Sequence, residues 1–308
     1  MATDSRTTVV VISRNRREQL LHTLSKLTEL PERPPVIVVD NASTDATAEA
    51  VARQYSEVTL LTPGRNLGAV GRNLGVRHAR TPYVAFSDDD SWWEPGALTA
   101  AELLFDGHPR LGLLAARTTV GPEAVDDPLN SVLAKSPLGM VPDLPGPQVL
   151  GFLACAAVAR RSAFLQAGGY HPVLFFGGEE TLLAYDLAAR GWGVCHCPDV
   201  VAVHCPTGGP RNGRSAVMLR NAALTAWLRR PLPVALRRTG ALAAEAKSDP
   251  PAREALRQVL RRLPMALRGR RLLPPAVESA ARRLDLEGAA AAAGPVGPAV
   301  RPAARSPG

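Results

Sequence analysis

Apolar runs of strand length alternate with amphipathic stretches through the first third of the chain. The run TTVVVIS (7–13) reads as a buried strand, and the segment after it, about 16–30, carries Leu20, Leu24 and Leu27 at helical spacing. PPVIVVD is a second strand ending at Asp40, and NASTDATAEAVARQY continues as a helix opened by the capping residues Ser43, Thr44 and Asp45. EVTLLT, VGRNLGVRHA and PYVAFS then read as strand, helix and strand. Such alternation predicts a parallel sheet flanked by helices, in which ligands bind outside the carboxyl ends of the strands.

Beyond this block the pattern predicts a helix over about 95–107 and a strand LGLLAA. A Pro-, Gly- and Asp-rich loop or small insertion over 121–148 follows, set over the site. A second structured block runs to about Cys205. Residues 206–287 read as a basic helical region, and the low-complexity end, 288–308, reads as a disordered tail. No internal repeat is present.

Composition narrows the class. A chain of 308 residues, 46% hydrophobic and 21% charged, can bury a full core as one large or two modest domains. No stretch approaches the roughly 18 uninterrupted apolar residues of a membrane span, and the amino terminus enters a strand-like run directly, so a cytoplasmic protein is expected. The net charge of +8 is carried by arginine, since lysine occurs only at Lys26, Lys135 and Lys247. Arginines thicken after Arg211. A solvated helix face accounts for them, and peripheral contact with anionic lipid at the inner face of the cell membrane is the functional alternative. Cys195, Cys197 and Cys205 stand near His196 and His204, but no Cys-x-x-Cys pairs ligands for zinc, and Cys195 and Cys197 read as small buried hydrophobes on one face of a strand.

The chemistry gathers at the strand ends. FSDDDSWW places Asp88, Asp89 and Asp90 where the fourth strand emerges, facing the same crevice as Asp40. An acidic turn would be the ordinary reading. Adjacent carboxylates in a crevice repel, however, unless a cation neutralises them, and hard oxygen ligands suit Mg²⁺ or Mn²⁺ holding a diphosphate. Asn66, Gly68, Arg72 and Asn73, in GRNLGAVGRNLG, supply close backbone approach, amides and a guanidinium for such a ligand. Trp92 and Trp93 offer a flat face to a sugar or acceptor, or else belong to the core.

These motifs, VVVISRNRREQL, VIVVDNASTDAT, GRNLGAVGRNLG, YVAFSDDDSWWEPGAL and GGYHPVLFFGGEETLLAYDLAARGWGVCHCPDVVAVH, occur in the order and approximate spacing of family 2 glycosyltransferases, which the chain resembles over about 7–205. The resemblance implies the GT-A fold, a mostly parallel Rossmann-like nucleotide-binding sheet with flanking helices. It divides 1–205 into a nucleotide-sugar half, about 1–118, and an acceptor half, about 148–205. It also implies an inverting transfer, of hexosyl or deoxyhexosyl type, from a UDP-, dTDP- or GDP-sugar to an acceptor hydroxyl with Mg²⁺ or Mn²⁺. Ser13, Arg14, Asp40, Asn66, Gly68, Arg72, Asn73, Asp88 and Asp89 would contact the nucleotide-sugar. Asp90, with Asp88 and His204, would reach the metal. Glu180 would be the base and Glu179 its positioning neighbour. Two departures stand out: Glu180 replaces the usual Asp, and Asp186 stands where relatives often carry Arg.

Two other classes are weaker. A sugar-phosphate nucleotidyltransferase would carry a glycine-rich loop after the first strand, and SRNRREQ has no glycine. A non-enzymatic membrane or nucleic-acid adaptor would leave the acidic cluster unexplained, and no nucleic acid is expected as a partner.

Overall fold

The computed structural model describes residues 5–206 and 213–293. The first four strands are β1 (Thr7–Ser13), β2 (Val36–Asp40), β3 (Thr59–Leu61) and β4 (Tyr83–Asp88). They alternate with α1 (Arg17–Thr28), α2 (Thr47–Gln54) and α3 (Gly71–His78). All three pairings among these strands are parallel. Next come β5 (Ser91–Trp93), α4 (Ala97–Gly107), β6 (Leu111–Val120), β7 (Val125–Asp126), α5 (Pro128–Ala134), β8 (Ala157–Arg160) and α6 (Arg161–Ala167). The order closes with α7 (Glu179–Ala188), β9 (Gly193–His204) and the helices α8 (Arg214–Arg229), α9 (Leu232–Glu245), α10 (Pro250–Arg268) and α11 (Pro275–Ala293).

The sheet runs β3-β2-β1-β4-β8-β6-β9-β5, with β7 on β6. It is mixed beyond β4, because β8 lies antiparallel between β4 and β6. Strand β1 is buried along its whole length, as an unbroken apolar run requires when helices cover both faces. One core cluster gathers around Leu20, Leu24 and Leu27 of α1, and another around Phe86, Phe164 and Tyr170 on the opposite side.

The segment 121–148 is not simply a loop, since it contains β7 and α5. Asp127 caps α5, its Oδ1 accepting from Leu129 N–H at 2.8 Å, with Pro128 at the first helical position. Helix α11 continues to Ala293, past the point at which the tail was expected to begin; 294–308 lies outside the described residues.

Part of the basic region's charge is internal. Arg220, Arg229 and Arg230 are buried. Arg229 makes a two-point ion pair with Asp186 of α7, at 2.5 and 2.9 Å, and Arg230 pairs with Glu278 and Asp285 of α11. Asp186 thus finds its cation on α8. Among the described residues no helix is long and apolar enough to cross a membrane.

Candidate active site

Parallel register aligns the strand ends. Ser13 lies opposite Asp40, and Ile12 opposite Asp88. Asp40 is buried and accepts from Ser43 N–H at 3.1 Å and from the Ser43 hydroxyl. Next to it, Asn41 accepts from Leu67 N–H at 3.2 Å and donates to the Gly68 carbonyl at 3.1 Å, pinning the nucleotide-motif loop to β2. Asn66 accepts from Gly68 N–H at 2.9 Å. Gly68 has φ +58°, and a Cβ there would lie 2.3 Å from the Phe175 carbonyl oxygen, so only glycine fits. Arg14 is exposed at the end of β1.

Each carboxylate of the acidic triplet has a basic partner from the chain. Asp88 pairs with the buried Arg72. Asp89 pairs with Arg16 Nε at 2.7 Å and accepts from the Ser13 hydroxyl at 3.1 Å. Asp90 accepts from Arg16 Nη2 at 2.8 Å, and His204 Nε2 stands 3.5 Å from its Oδ1. Register explains this last approach: Ser91 of β5 lies opposite His204 of β9, and Cys205 N–H donates to the Asp90 carbonyl at 2.8 Å. Arginines thus offset part of the negative charge that the sequence assigned to a divalent ion. Arg16, at the amino-terminal cap of α1, was not singled out by the sequence. Burial raises the Asp89 pKa to about 7, against the opposing pull of Arg16. The hydrogen bond to Asp90 raises that of His204.

The carboxylate pair Glu179–Glu180 opens α7 behind Gly178, which caps the helix at φ +78°. Glu179 is 2% exposed. Its Oε1 lies 3.9 Å from Arg72 Nη1, and its Oε2 has no hydrogen-bond partner among the described residues. Burial, and then the neighbouring Glu180, raise its pKa to about 8 although Arg72 opposes. Glu180 is also raised, by burial, with backbone N–H groups including that of Ala154 holding it partly down.

The folded chain therefore keeps a proton on Glu179 that the unfolded chain loses near 4.5, so stability declines as pH rises from about 4.5 toward 8. Melting temperatures measured across this window should fall with pH in the parent. The slope should flatten in Glu179→Gln, which has no proton to lose; an unchanged slope would mean the group titrates normally.

Arg16, Arg72, Asp88, Asp90, Glu179, Glu180 and His204 all line one cleft of about 1200 Å³. Beyond them the cleft is lined by apolar residues, among them Leu129, Val132 and Leu133 of α5 and Val217 and Met218 of α8, and by the charged Arg214, Arg230, Arg238, Asp285 and Glu287. Of the expected site residues, Ser13, Arg14, Asp40, Asn66, Gly68, Asn73, Asp89, Trp92 and Trp93 do not line this cleft. Trp93 is buried in the core, and Trp92 meets His22 of α1 edge-on at 5.4 Å, because β5 pairs with β9 and packs under α1. Asn73 spends its side chain on Tyr170, donating to the carbonyl at 2.9 Å and accepting from the N–H at 2.8 Å. Cys195 and Cys197 are buried with sulfurs 3.7 Å apart, and among the described residues no three His, Cys, Asp or Glu converge on one metal position.

Comparison with known proteins gives a consistent result. The family profile described as glycosyl transferase family 2 matches residues 8–167. A Mycobacterium tuberculosis protein named N-acetylglucosaminyl-diphospho-decaprenol L-rhamnosyltransferase is 28% identical over 224 residues, spanning 61% of this chain and 71% of its own. Among solved structures, a mannosyltransferase from Pyrobaculum calidifontis in complex with GDP-Man and Mn²⁺ superposes with a TM-score of 0.55 at 22% identity, over 94% of this chain and 81% of that one. Residues 1–349 of S. aureus TarS, in complex with UDP-GlcNAc, give 0.58 at 16% identity, over 89% and 83% of the two chains. The expected GT-A architecture is the one found.

Proposed function

The chain belongs to glycosyl transferase family 2 and is a glycosyltransferase, and from that premise we propose that it transfers a sugar, with inversion, from a nucleotide-diphospho-sugar to an acceptor hydroxyl. The observation that carries the proposal is the shared cleft, which the buried Glu179 and half-buried Glu180 line together with the arginine-braced carboxylates Asp88 and Asp90. One wall is suited to an anionic donor and the other to a proton.

On the donor side, Asp40 is assigned to the nucleotide base, and Asp88 to the ribose. Arg72 is assigned to the diphosphate, because its buried Nε and Nη1 have no hydrogen-bond acceptor among the described residues and the side chain lines the cleft. With no three His, Cys, Asp or Glu side chains converging among the described residues, a divalent cation would have Asp90 and His204 as its ligands from the chain and would take further oxygens from the diphosphate. Asp90 and His204 offer a carboxylate and an imidazole 3.5 Å apart, with Asp88 on the same wall. Oxygen with one nitrogen suits Mg²⁺ or Mn²⁺. Bound there, the ion would stabilise the charge of the departing nucleoside diphosphate.

On the acceptor side, Glu180 takes the hydroxyl proton as the oxygen attacks the anomeric carbon opposite the leaving group. Glu179, its pKa raised to about 8 by burial and by Glu180, holds a proton near neutral pH. Burial keeps the Glu180 carboxylate basic enough for the task. The mixed lining beyond Glu180, apolar side chains of α5 and α8 beside Arg214, Arg230 and Arg238, supports an amphiphilic acceptor with an anionic group, whose sugar end meets Glu180. The mycobacterial relative's name gives it a lipid-linked sugar acceptor, which agrees with this reading.

A thermal-shift screen of nucleoside diphosphates with and without Mn²⁺ tests the donor side. At a hundredfold excess over Kd a bound ligand stabilises by about 2.7 kcal/mol, roughly 5–10 °C for a chain of this size. Asp90→Ala should abolish the Mn²⁺-dependent part and leave the fold intact. A folded variant with undiminished Mn²⁺-dependent stabilisation would remove Asp90 from the metal assignment. Transfer assays against lipid-linked and water-soluble acceptors, with UDP-, dTDP- and GDP-sugars, test the remainder.

A further inference from the structure

The turn that delivers the carboxylate pair is held from outside itself. From Val173 to Gly177, five consecutive carbonyls each accept from a donor elsewhere in the chain. Val173 O accepts from Arg262 of α10 at 2.6 Å, and Leu174 O from Arg220 of α8 at 2.7 Å. The Asn221 carboxamide nitrogen sits among Leu174 O at 3.1 Å, Phe176 O at 2.9 Å and Gly177 O, sharing its two hydrogens between them. The fifth carbonyl, Phe175 O, accepts from Ala69 N–H at 2.7 Å, which belongs to the nucleotide-motif loop two residues before α3 and three before Arg72.

This backbone would not hold its course unaided. Phe175, Gly177 and Gly178 have φ of +66°, +87° and +78°, three left-handed residues within four positions, one of them a phenylalanine. Nor is the clamp incidental packing. Arg220 and Asn221 are 4% and 1% exposed, and they brace each other, Arg220 Nε donating to Asn221 Oδ1 at 2.7 Å. Arg220 Nη1 continues to Gln258 of α10 at 2.7 Å. A buried arginine whose hydrogen bonds all go to neutral oxygens is costly, and a row of carbonyl dipoles is what offsets the cost.

We propose that Arg220, Asn221 and Arg262 are positioning residues for the glycosyl transfer, so that the basic helical region carries part of the catalytic apparatus by fixing the turn that presents Glu179 and Glu180 to the donor. Through Phe175 and Ala69 the same turn is tied to the donor loop, and nucleotide binding is thereby linked to placement of the base. This rests on the reading of Glu180 as the base.

The test is Asn221→Ala, which removes both shared donor hydrogens from the turn. Donor turnover is measured with whichever UDP-, dTDP- or GDP-sugar the parent hydrolyses or transfers fastest. The variant should lose about tenfold or more in kcat, with the donor KM and the Kd for the matching nucleoside diphosphate changed by no more than about threefold. Hydrogen exchange, which needs no activity, should be faster at the amides of 175–181. Protection on adding the nucleoside diphosphate with Mn²⁺ should still cover 68–76 but no longer reach 175–181.

A folded variant with parental kcat, or with parental exchange at 175–181, overturns the proposal. So does a loss shared equally between kcat and nucleotide affinity, which would mark general loosening. If Asn221→Ala does not fold, Arg262→Gln, which frees only the Val173 carbonyl, is read the same way with smaller changes in the same direction. If the parent neither binds a nucleoside diphosphate nor turns over a donor, the functional reading fails, and exchange at 175–181 still decides whether the clamp exists.

Discussion

Glu180→Gln should cut sugar transfer by about a hundredfold or more, the usual scale for losing a general base, while the protein folds and binds its donor as before. The substitution keeps size and hydrogen-bonding reach but cannot take up a proton at neutral pH. Donor contacts are assigned to Asp40, Arg72, Asp88 and Asp90, so KM for the nucleotide-sugar should change little. The control is Glu179→Gln. That residue is already protonated near neutral pH, so an amide there resembles the parent's own state, and the loss should be the milder one. If Glu179→Gln were dead and Glu180→Gln active, the roles of the pair would be exchanged. Full activity in both would end the case for a carboxylate base at this turn.

Much of the donor wall was legible because strand ends are local. An unbroken apolar run followed by an acidic residue fixes where Asp40 and Asp88 emerge, and parallel pairing sets those strand ends side by side. The approach of His204 to Asp90 was readable only by family resemblance, since it depends on β5 pairing antiparallel with the end of β9. Arg16 could not be told from Arg14 and Arg17 in a run of three arginines separated by one asparagine. What selects it is its place at the first turn of α1, within 3 Å of two carboxylates that lie more than seventy residues away. The sequence left the tryptophans between a sugar face and the core because burial is decided by the layer above them. Helix α1 covers β5, so Trp93 went to the core and Trp92 to His22.

The carboxyl-terminal arginines misled for the opposite reason. Solvation is the default for such a run, and only tertiary contacts reveal that Arg220, Arg229 and Arg230 point inward. Helix α5 is a different case. Its Asp127-Pro128 start signal was present in the sequence but was outweighed by the loop-like composition around it.

Among these buried pairs, Asp186–Arg229 should be the most costly to break. Asp186→Ala leaves the Arg229 guanidinium interior without its carboxylate, and removing one partner of a buried ion pair typically costs about 3–5 kcal/mol, which is roughly 10 °C in melting temperature for a chain of this size. Arg229 Nη1 also donates to the Leu228 and Gly269 carbonyls at 3.0 and 3.1 Å, but these neutral oxygens do not replace a carboxylate that accepts at two points from Nε and Nη2. The lost contact joins α7 to α8, so the loosening should reach the clamp on residues 173–177 and lower turnover as well. Asp186→Leu combined with Arg229→Met separates the two causes. With both charges gone and apolar volume in their place, most of the stability should return, because well-packed hydrophobes substitute for a buried pair at little cost. Recovery of the melting temperature with recovery of activity would mean that the pair serves as an anchor only. A double variant that melts no higher than Asp186→Ala would show that the loss comes from packing around α7, not from the stranded charge.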